Sequence, residues 1–312
     1  GATSTTSNGS TIALGGAVTG AQTLTLNALA GGAGAITGLN NISPLLTGLT
    51  LSAQTLTLPA NLGVAGAMTF TAPGGITVAG ALGSATQGGA ITFNNAVTLS
   101  GDSTIATLNS GVTFADTLAG GGRDLIVSTG TGTKTFNGAV SNLGAGADAA
   151  LTLQGSGAST FASTVNANSG LLVQGGGATR FQNNVTLGNG LTGTNLGTGL
   201  VTIGRSGATT TFNGYGGIQT QAVDLAGDTS LISNSSGVVI GGALNGAANL
   251  SVNSGGATTT FAGQVGNTVQ LGSGVGAAIT LTGVGATSFD NTLNTRGHLA
   301  ATGNVTLKQA TT

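Results

Sequence analysis

Cysteine, glutamate and tryptophan are absent from the 312 residues, and charged residues make up only 4% of the chain. The lack of cysteine excludes disulfides and thiolate metal sites. The formal net charge of −1 leaves no basic patch of the kind that binds nucleic acid, so we expect no nucleic-acid partner. No apolar run reaches about 18 residues, so we expect no membrane-spanning helix.

Helix-favouring residues are scarce, whereas strand and turn residues are abundant. Glycine accounts for 60 residues, but without the three-residue period of collagen. Hydrophobic residues make up 39% of the chain, which together with the low charge is opposite to the composition of disordered proteins. Runs rich in Thr, Val and Leu, separated by Gly, Asn and Ser, are typical of strands joined by turns. The composition therefore predicts an all-β protein.

The nine phenylalanines share one sequence context. Each ends a short strand-like run, which in most copies follows a glycine-rich bend, as in LTLQGSGASTF (151–161) and LLVQGGGATRF (171–181). Most successive phenylalanines are 20 to 25 residues apart, and SGVVIGGALNG (236–246) places Ile240 at the equivalent position in the widest gap. Such a repeat predicts a solenoid of stacked coils. We expect the repeat residues to form one inward column, the core ladder of Phe70, Phe93, Phe114, Phe136, Phe161, Phe181, Phe212, Ile240, Phe261 and Phe289.

A second pattern follows each phenylalanine. Gly or Asn is often found two positions later, which predicts a corner with positive φ. An aliphatic residue often returns four positions later and opens the next strand, as at Val97 and Val185. The chain thus reads as a parallel β-helix of about 20–25 residues and three short strands per coil. We predict one elongated β-solenoid over 1–312, with less regular coils over 1–68 and phenylalanine-register coils over 69–312.

Two pairs of segments are nearly identical. AQTLTLNA (21–28) and AQTLTLPA (53–60) alternate Thr and Leu, which predicts strands with one buried face. LSGDSTI (99–105) and LAGDTSL (225–231) each predict a Gly-Asp turn followed by a short strand.

Several segments resemble the repeat regions of large two-partner-secreted bacterial exoproteins of the filamentous haemagglutinin type. They are TFNNAVTLSGDSTI (92–105), KTFNGAVSNLG (134–144), TRFQNNVTL (179–187) and TTFNGYGG (210–217). The resemblance covers about 90–306, and more weakly 20–89. It implies a right-handed β-helix that is secreted and serves as an extracellular shaft, adhesin or fibre at the bacterial cell surface. No NPNL or NPNG motif of that family's secretion domain is present, so we expect a shaft segment or a self-assembling offshoot.

No residue is predicted to be catalytic or to bind a cofactor or metal. Asp102 and Asp228 occupy equivalent turns far apart in sequence and are interpreted as solvated turn residues. Asp116, Arg123 and Asp124 surround a glycine-rich bend, where a surface ion pair is the simplest interpretation. The GGGRDL segment (120–125) is similar to a calcium-binding nonapeptide but occurs once, without the tandem array that such sites need. His298 is the only histidine and has no partners spaced for a zinc site or a catalytic triad.

The sequence therefore predicts a non-enzymatic structural solenoid of a secreted fibre or adhesin. The segment NVTLKQATT (304–312) ends in strand-like sequence, and uncovered β-helix ends invite another chain. We expect end-to-end self-association into filaments or a longer native chain, with a host-surface or glycan receptor as a further candidate partner. One alternative is a glycan-binding or glycan-cleaving β-helix, which a single tyrosine and no tryptophan disfavour. Another is an ice-binding solenoid, but because coil length varies, the sequence predicts no strict column of threonines.

Overall fold

The computed structural model describes residues 2–83, 88–145, 148–188, 193–234, 236–283 and 285–309. In these residues the chain is all-β, apart from a single 3-10 turn at Leu39–Asn41. Its strands pair in parallel and stack as a β-solenoid of about 14 turns, which confirms the predicted fold class. The chain divides into two compact units, unit 1 (1–143 and 153–158) and unit 2 (144–152 and 159–312).

Each coil of unit 1 crosses up to three faces, numbered here in chain order. The first face consists of β1 (Thr3–Thr6), β3 (Thr23–Asn27), β5 (Gly48–Ser52), β7 (Ala67–Thr71), β9 (Ile91–Phe93), β11 (Val112–Phe114) and β14 (Lys134–Phe136). The second face consists of β6 (Leu56–Thr57), β12 (Leu118–Arg123), β15 (Val140–Leu143) and the first halves of β8 (Ile76–Gly83) and β10 (Val97–Ala106). The second halves of β8 and β10 turn onto the third face and stack there with β13 (Leu125–Ser128). Two short strands, β2 (Ile12–Ala13) and β4 (Ile36–Thr37), pair separately.

Unit 2 has the same three-faced arrangement. Its first face consists of β17 (Ser159–Phe161), β20 (Thr179–Phe181), β23 (Val201–Ile203), β26 (Val223–Leu225) and β29 (Leu244–Asn245). Its second face consists of β18 (Val165–Ala167), β21 (Val185–Leu187), β24 (Thr210–Gly214), β27 (Thr229–Ile232), β30 (Leu250–Asn253), β32 (Ala277–Thr282) and β34 (His298–Ala301). Its third face consists of β19 (Leu171–Gln174), β22 (Thr194–Asn195), β25 (Ile218–Thr220), β28 (Val238–Ile240), β31 (Thr259–Phe261), β33 (Thr287–Phe289) and β35 (Val305–Leu307). The strand β16 (Leu151–Gln154) contributes residues to both units. Of the strand-like C-terminal segment, 310–312 lie outside the described residues.

Coil length varies more widely than the sequence predicts. Thr287 pairs with Val305, 18 residues later, whereas Leu250 pairs with Ile279, 29 residues later. Both coils still bring their strands into parallel register, because the extra residues of the long coil lie in the loop 266–276 between two faces. Insertions are therefore absorbed at corners and leave the stacked strands in place.

The alternation of apolar and polar residues sets which side chains enter the core. In AQTLTLNA, Leu24 and Leu26 are buried while the intervening threonine is half-exposed, and in AQTLTLPA Leu56 and Leu58 are buried. The two octapeptides nevertheless lie on different faces, since the first forms β3 and the second forms β6. A short sequence thus determines which side of a strand is buried, but not the face on which the strand lies.

In unit 1 the phenylalanines do form a column. Phe70, Phe93, Phe114 and Phe136 are buried and occupy paired positions on successive strands of the first face. The rings of Phe93 and Phe114 stack with centroids 4.9 Å apart, and those of Phe114 and Phe136 with centroids 5.0 Å apart. Offset-stacked rings at this spacing stabilise the coil-to-coil contact beyond simple area burial.

In unit 2 the expectation of one column is wrong. Phe161 and Phe181 pair on the first face, but the next position there is Ile203. Phe212 lies on the second face, where it pairs with Val185 and Leu231. Ile240, Phe261 and Phe289 pair with one another on the third face, so Ile240 does occupy a phenylalanine position, but in a different column.

The physical reason is that the phenylalanine motif marks the end of a strand and not a particular face. After Phe181 the aliphatic residue four positions later, Val185, opens a second-face strand. After Phe261 the corresponding Val265 bridges to Leu244, which belongs to the first face. The same Phe-to-aliphatic corner is therefore used at two different edges of the coil.

Candidate functional surfaces

The position two residues after phenylalanine lies at a corner, but none of the predicted residues there has positive φ. Where this residue is Asn or Asp, its side chain accepts a backbone hydrogen bond. Asn95 Oδ1 accepts from the N–H of Ala72 at 2.9 Å, a bond that joins two coils. Asp116 Oδ1 accepts from Thr117 N–H at 2.7 Å within its own turn. At these corners, the hydrogen bond that the side chain accepts stabilises the turn, and the backbone is not left-handed.

At two of the glycines in this position, Gly138 and Gly263, the reason is close approach between coils. A Cβ on Gly138 would lie 2.3 Å from the carbonyl carbon of Asp116, and one on Gly263 would lie 2.1 Å from that of Gly242. Real side-chain carbons do not approach backbone so closely. At these two corners, backbone therefore packs against backbone.

The aspartates of the two Gly-Asp segments make equivalent hydrogen bonds. Asp102 Oδ1 accepts from the N–H of Asp124 at 3.1 Å, and Asp228 Oδ1 accepts from the N–H of Asn249 at 2.8 Å. Each acceptor thus joins its coil to the following coil. The residue after each aspartate carries a hydroxyl group that donates to the carbonyl oxygen two residues before it at 2.9 Å. In the first segment this residue is Ser103, within β10, and in the second it is Thr229, the first residue of β27. These aspartates therefore join neighbouring coils. This role is more specific than that of the solvated turn residues that we expected.

Lys134 is a buried cation whose environment sequence reasoning missed. It occupies the inward position two residues before Phe136 and pairs with Val112, so that it stands where the two preceding coils have Ile91 and Val112. Its Nζ donates to the carbonyl oxygen of Gly157 at 3.1 Å. Desolvation by burial lowers the pKa of Lys134 below its ordinary value. The sequence could have predicted this burial. In ITF (91–93) and VTF (112–114) the residue two positions before Phe points inward, and Lys134 holds the same position in KTF (134–136).

The remaining titratable residues are dispersed. Lys308 Nζ lies 2.9 Å from Asp290 Oδ1, and its hydrogen bond, together with one from Ser288, lowers the pKa of Asp290. His298 begins β34 and is exposed. Among the described ranges, no three His, Cys, Asp or Glu side chains cluster in a way that could hold a metal ion.

A shallow cleft of about 530 Å³ lies on the surface of unit 2. The turn at 205–208, closed by a bridge between Arg205 and Ala208, forms one side of it, and Asp228 lies among its lining residues. One carboxylate oxygen of Asp228 is already used by the hydrogen bond to Asn249. The other lining residues are small except for Leu225, so the residues that line the cleft offer no aromatic surface for a sugar ring.

The first face of unit 1 carries a regular outward column of hydroxyl groups, which overturns the expectation that no strict threonine column survives. Parallel register aligns one threonine from each of six successive strands, and each is half-exposed. These residues, called the threonine column below, are Thr25, Thr50, Thr69, Thr92, Thr113 and Thr135. Although the sequence separations differ, the column survives because length differences are absorbed outside the strands.

These features define a parallel β-solenoid in which several polar side chains join neighbouring coils and others lie on the outer faces. Comparison with protein-family models, curated proteins and solved structures found no match. The resemblance to filamentous haemagglutinin-type repeats therefore remains an expectation from the sequence. Among the described residues, no helix has the length and apolar character needed to span a membrane.

Proposed function

We propose that this chain is a structural solenoid of a secreted bacterial surface fibre or adhesin, in which it acts as a shaft. The observation that carries the proposal is the use of polar side chains. At the corners, Asn95, Asp102 and Asp228 each bind the backbone of a neighbouring coil and so contribute to stacking. Such groups stabilise the stack of coils.

The mechanism of such a shaft is mechanical. Successive coils are joined by parallel backbone ladders on three faces, and apolar side chains fill the space between them. A single coil cannot bury its inner face alone, so each coil depends on its neighbours. Burying one Phe, Leu or Val contributes about 1.5–3 kcal/mol, which is repeated at every coil. Pulling on the chain must then break one coil at a time, since each coil is a separate cooperative contact.

We further propose that shafts of this kind associate end to end, or continue as one longer chain, and that a host-surface molecule or glycan is the receptor. The support is general, because parallel strands at the edge of a stack present unpaired backbone groups that another strand can bind. The low charge of the chain, 4% of its residues, also limits repulsion between copies.

Single-molecule force spectroscopy tests the shaft. We expect the chain, held at both termini, to extend in repeated small steps of about one coil, which is the unit that stacks independently. Extension in one step at low force would contradict the proposal. Electron microscopy of the purified chain and a glycan array test the filament and receptor separately, so that failure of either leaves the shaft measurable.

A further inference from the structure

The threonine column differs from the other outward columns of the molecule. On the second face of unit 1, the outward positions paired in succession are Thr57, Thr77, Thr98, Ala119 and Ser141. On the third face they are Ala81, Thr104 and Ile126. Threonine is favoured in strands generally, but that preference acts on all faces equally. Six consecutive threonines on one face therefore require another explanation.

The core fixes the period of this column. Thr92, Thr113 and Thr135 each immediately precede a phenylalanine of the stacked first-face rings, so that one strand presents the hydroxyl outward and the ring inward. The ring centroids are 4.9 and 5.0 Å apart over these three coils. Because these strands stack in parallel register above the ring column, the hydroxyls outside repeat at the strand spacing of about 4.8 Å.

The surroundings of the column are uncharged. The residues two positions before the threonines are small in four of the six coils, as at Gly48, Ala67, Ala90 and Gly111. No charged side chain points outward from these strands, and the first charged residue of the whole chain is Asp102. Two positions after the threonines the side chains are polar or small and uncharged, at Asn27, Ser52, Thr71, Asn94, Ala115 and Asn137. Nothing on the face therefore favours a charged partner.

We propose that the threonine column is an ice-binding site. The partner that fits an uncharged array with one fixed repeat is a neutral lattice with a similar repeat. Oxygen atoms along one axis of hexagonal ice repeat at a distance close to the strand spacing. Each threonine hydroxyl holds a water molecule at that period, while the methyl group beside it lies against the lattice. The site is independent of the shaft role, since it needs only unit 1.

The test uses the purified full chain in an assay of ice-crystal shaping, thermal hysteresis and inhibition of ice recrystallisation. The site variant carries Thr92→Lys and Thr113→Lys. The matched control carries Thr77→Lys and Thr98→Lys, two paired outward threonines on the second face of the same unit. Both variants add the same charge at outward strand positions, and circular dichroism and thermal unfolding establish that each is folded. Thr50→Lys, in a different coil, serves as a second site variant if the double variant does not fold.

We expect the unaltered chain and the control to inhibit recrystallisation, and the site variant to lose that activity. Absence of activity in the unaltered chain would overturn the proposal, as would equal loss in the site and control variants. Sedimentation velocity tests whether a second copy of the chain, and not ice, binds this face. If the site variant only dissociates a dimer and the unaltered chain has no effect on ice, then the face binds a second copy and the ice-binding proposal is wrong.

Discussion

The rings of Phe181 and Phe212 meet edge to face, with centroids 5.3 Å apart and planes at 80°, although their strands lie on different faces. The backbone of Phe181 pairs with Ile203, and that of Phe212 pairs with Val185. Here the aromatic contact passes from one face of the coil to the next. The core is narrow enough that rings from adjacent faces touch. Phe181 therefore has an aromatic neighbour in the next coil, although the first-face column of phenylalanines ends at Phe181.

Removing a ring from the unit 1 column is expected to be costly. Phe93 is buried between Phe70 and Phe114, and Phe93→Ala leaves a cavity that costs about 3–5 kcal/mol of unfolding free energy. Denaturation in guanidinium chloride measures the loss. The matched control is Thr92→Ala in the same strand, where the side chain points outward and the expected change is below about 1 kcal/mol. Equal losses in the two variants would show that the ring column does not stabilise the stack.

The assignment of Phe261 to the third face predicts a local effect. In Phe261→Ala, we expect faster hydrogen exchange in the paired strands β28 and β33, because the backbone ladders of neighbouring coils lose their packing support. The second-face strand that contains Phe212 is expected to be less affected. The reciprocal variant, Phe212→Ala, should instead accelerate exchange in β21 and β27. If Phe261→Ala instead accelerated exchange mainly in the strand that contains Phe212, the two residues would share one column, as the sequence predicts.

Lys134→Met is expected to stabilise the protein. Methionine fills the same inward position without a polar head to desolvate, and the gain expected for a buried apolar side chain is about 1–3 kcal/mol. Unfolding in guanidinium chloride at neutral pH measures the gain. A Lys134→Met variant less stable than the parent would show that the hydrogen bond to Gly157 contributes more than burial of the cation costs.

The same lysine predicts a pH dependence. Burial lowers the pKa of Lys134 in the folded state below its ordinary value of 10.5, so the unfolded chain binds more protons between these two values. Stability is therefore expected to rise with pH across that window, and the contribution of Lys134 to this rise should be absent from Lys134→Met. Thermal unfolding of both proteins from neutral pH to pH 10.5 provides the comparison. Parallel curves for the two proteins would contradict the assigned shift.

Gly263 is expected to tolerate no side chain. A Cβ there would lie 2.1 Å from the carbonyl carbon of Gly242, so Gly263→Ala must separate two coils. We expect a loss of about 1–3 kcal/mol, the range for overpacking in a close-packed region. Gly15→Ala is the control, because a Cβ on Gly15 meets nothing within 4 Å. Thermal unfolding distinguishes them, and an unchanged melting temperature for Gly263→Ala would rule out the close approach.

The inter-coil role of Asp228 can be tested by two substitutions. Asp228→Ala removes the acceptor for Asn249 N–H, which we expect to cost about 1–3 kcal/mol. Asp228→Asn retains an amide oxygen that can accept the same bond and should recover most of that loss. Unfolding free energies of the two variants are compared. If alanine and asparagine behaved alike, the contribution of Asp228 would depend on its charge and not on this hydrogen bond.

Much of the fold follows from local sequence. The alternation in AQTLTLNA correctly predicts that Leu24 and Leu26 are buried, and the repeat correctly predicts stacked parallel coils. Less of the surface could be predicted. The threonine column was missed because unequal spacing of the threonines in the sequence was taken to mean that they do not align. In the structure, Thr50 and Thr69 align with Thr92 through coils of different length.

The sequence by itself therefore determined which side chains of each strand point inward, where strands end, and that no single coil could fold alone. Only the tertiary structure decided which face each strand occupies, which carbonyl oxygen Lys134 binds, and that six threonines form one column. The physical reason is that alternation and turn residues act within a few bonds of the chain. Face and register depend on how many residues each corner absorbs before the backbone ladder to the previous coil closes.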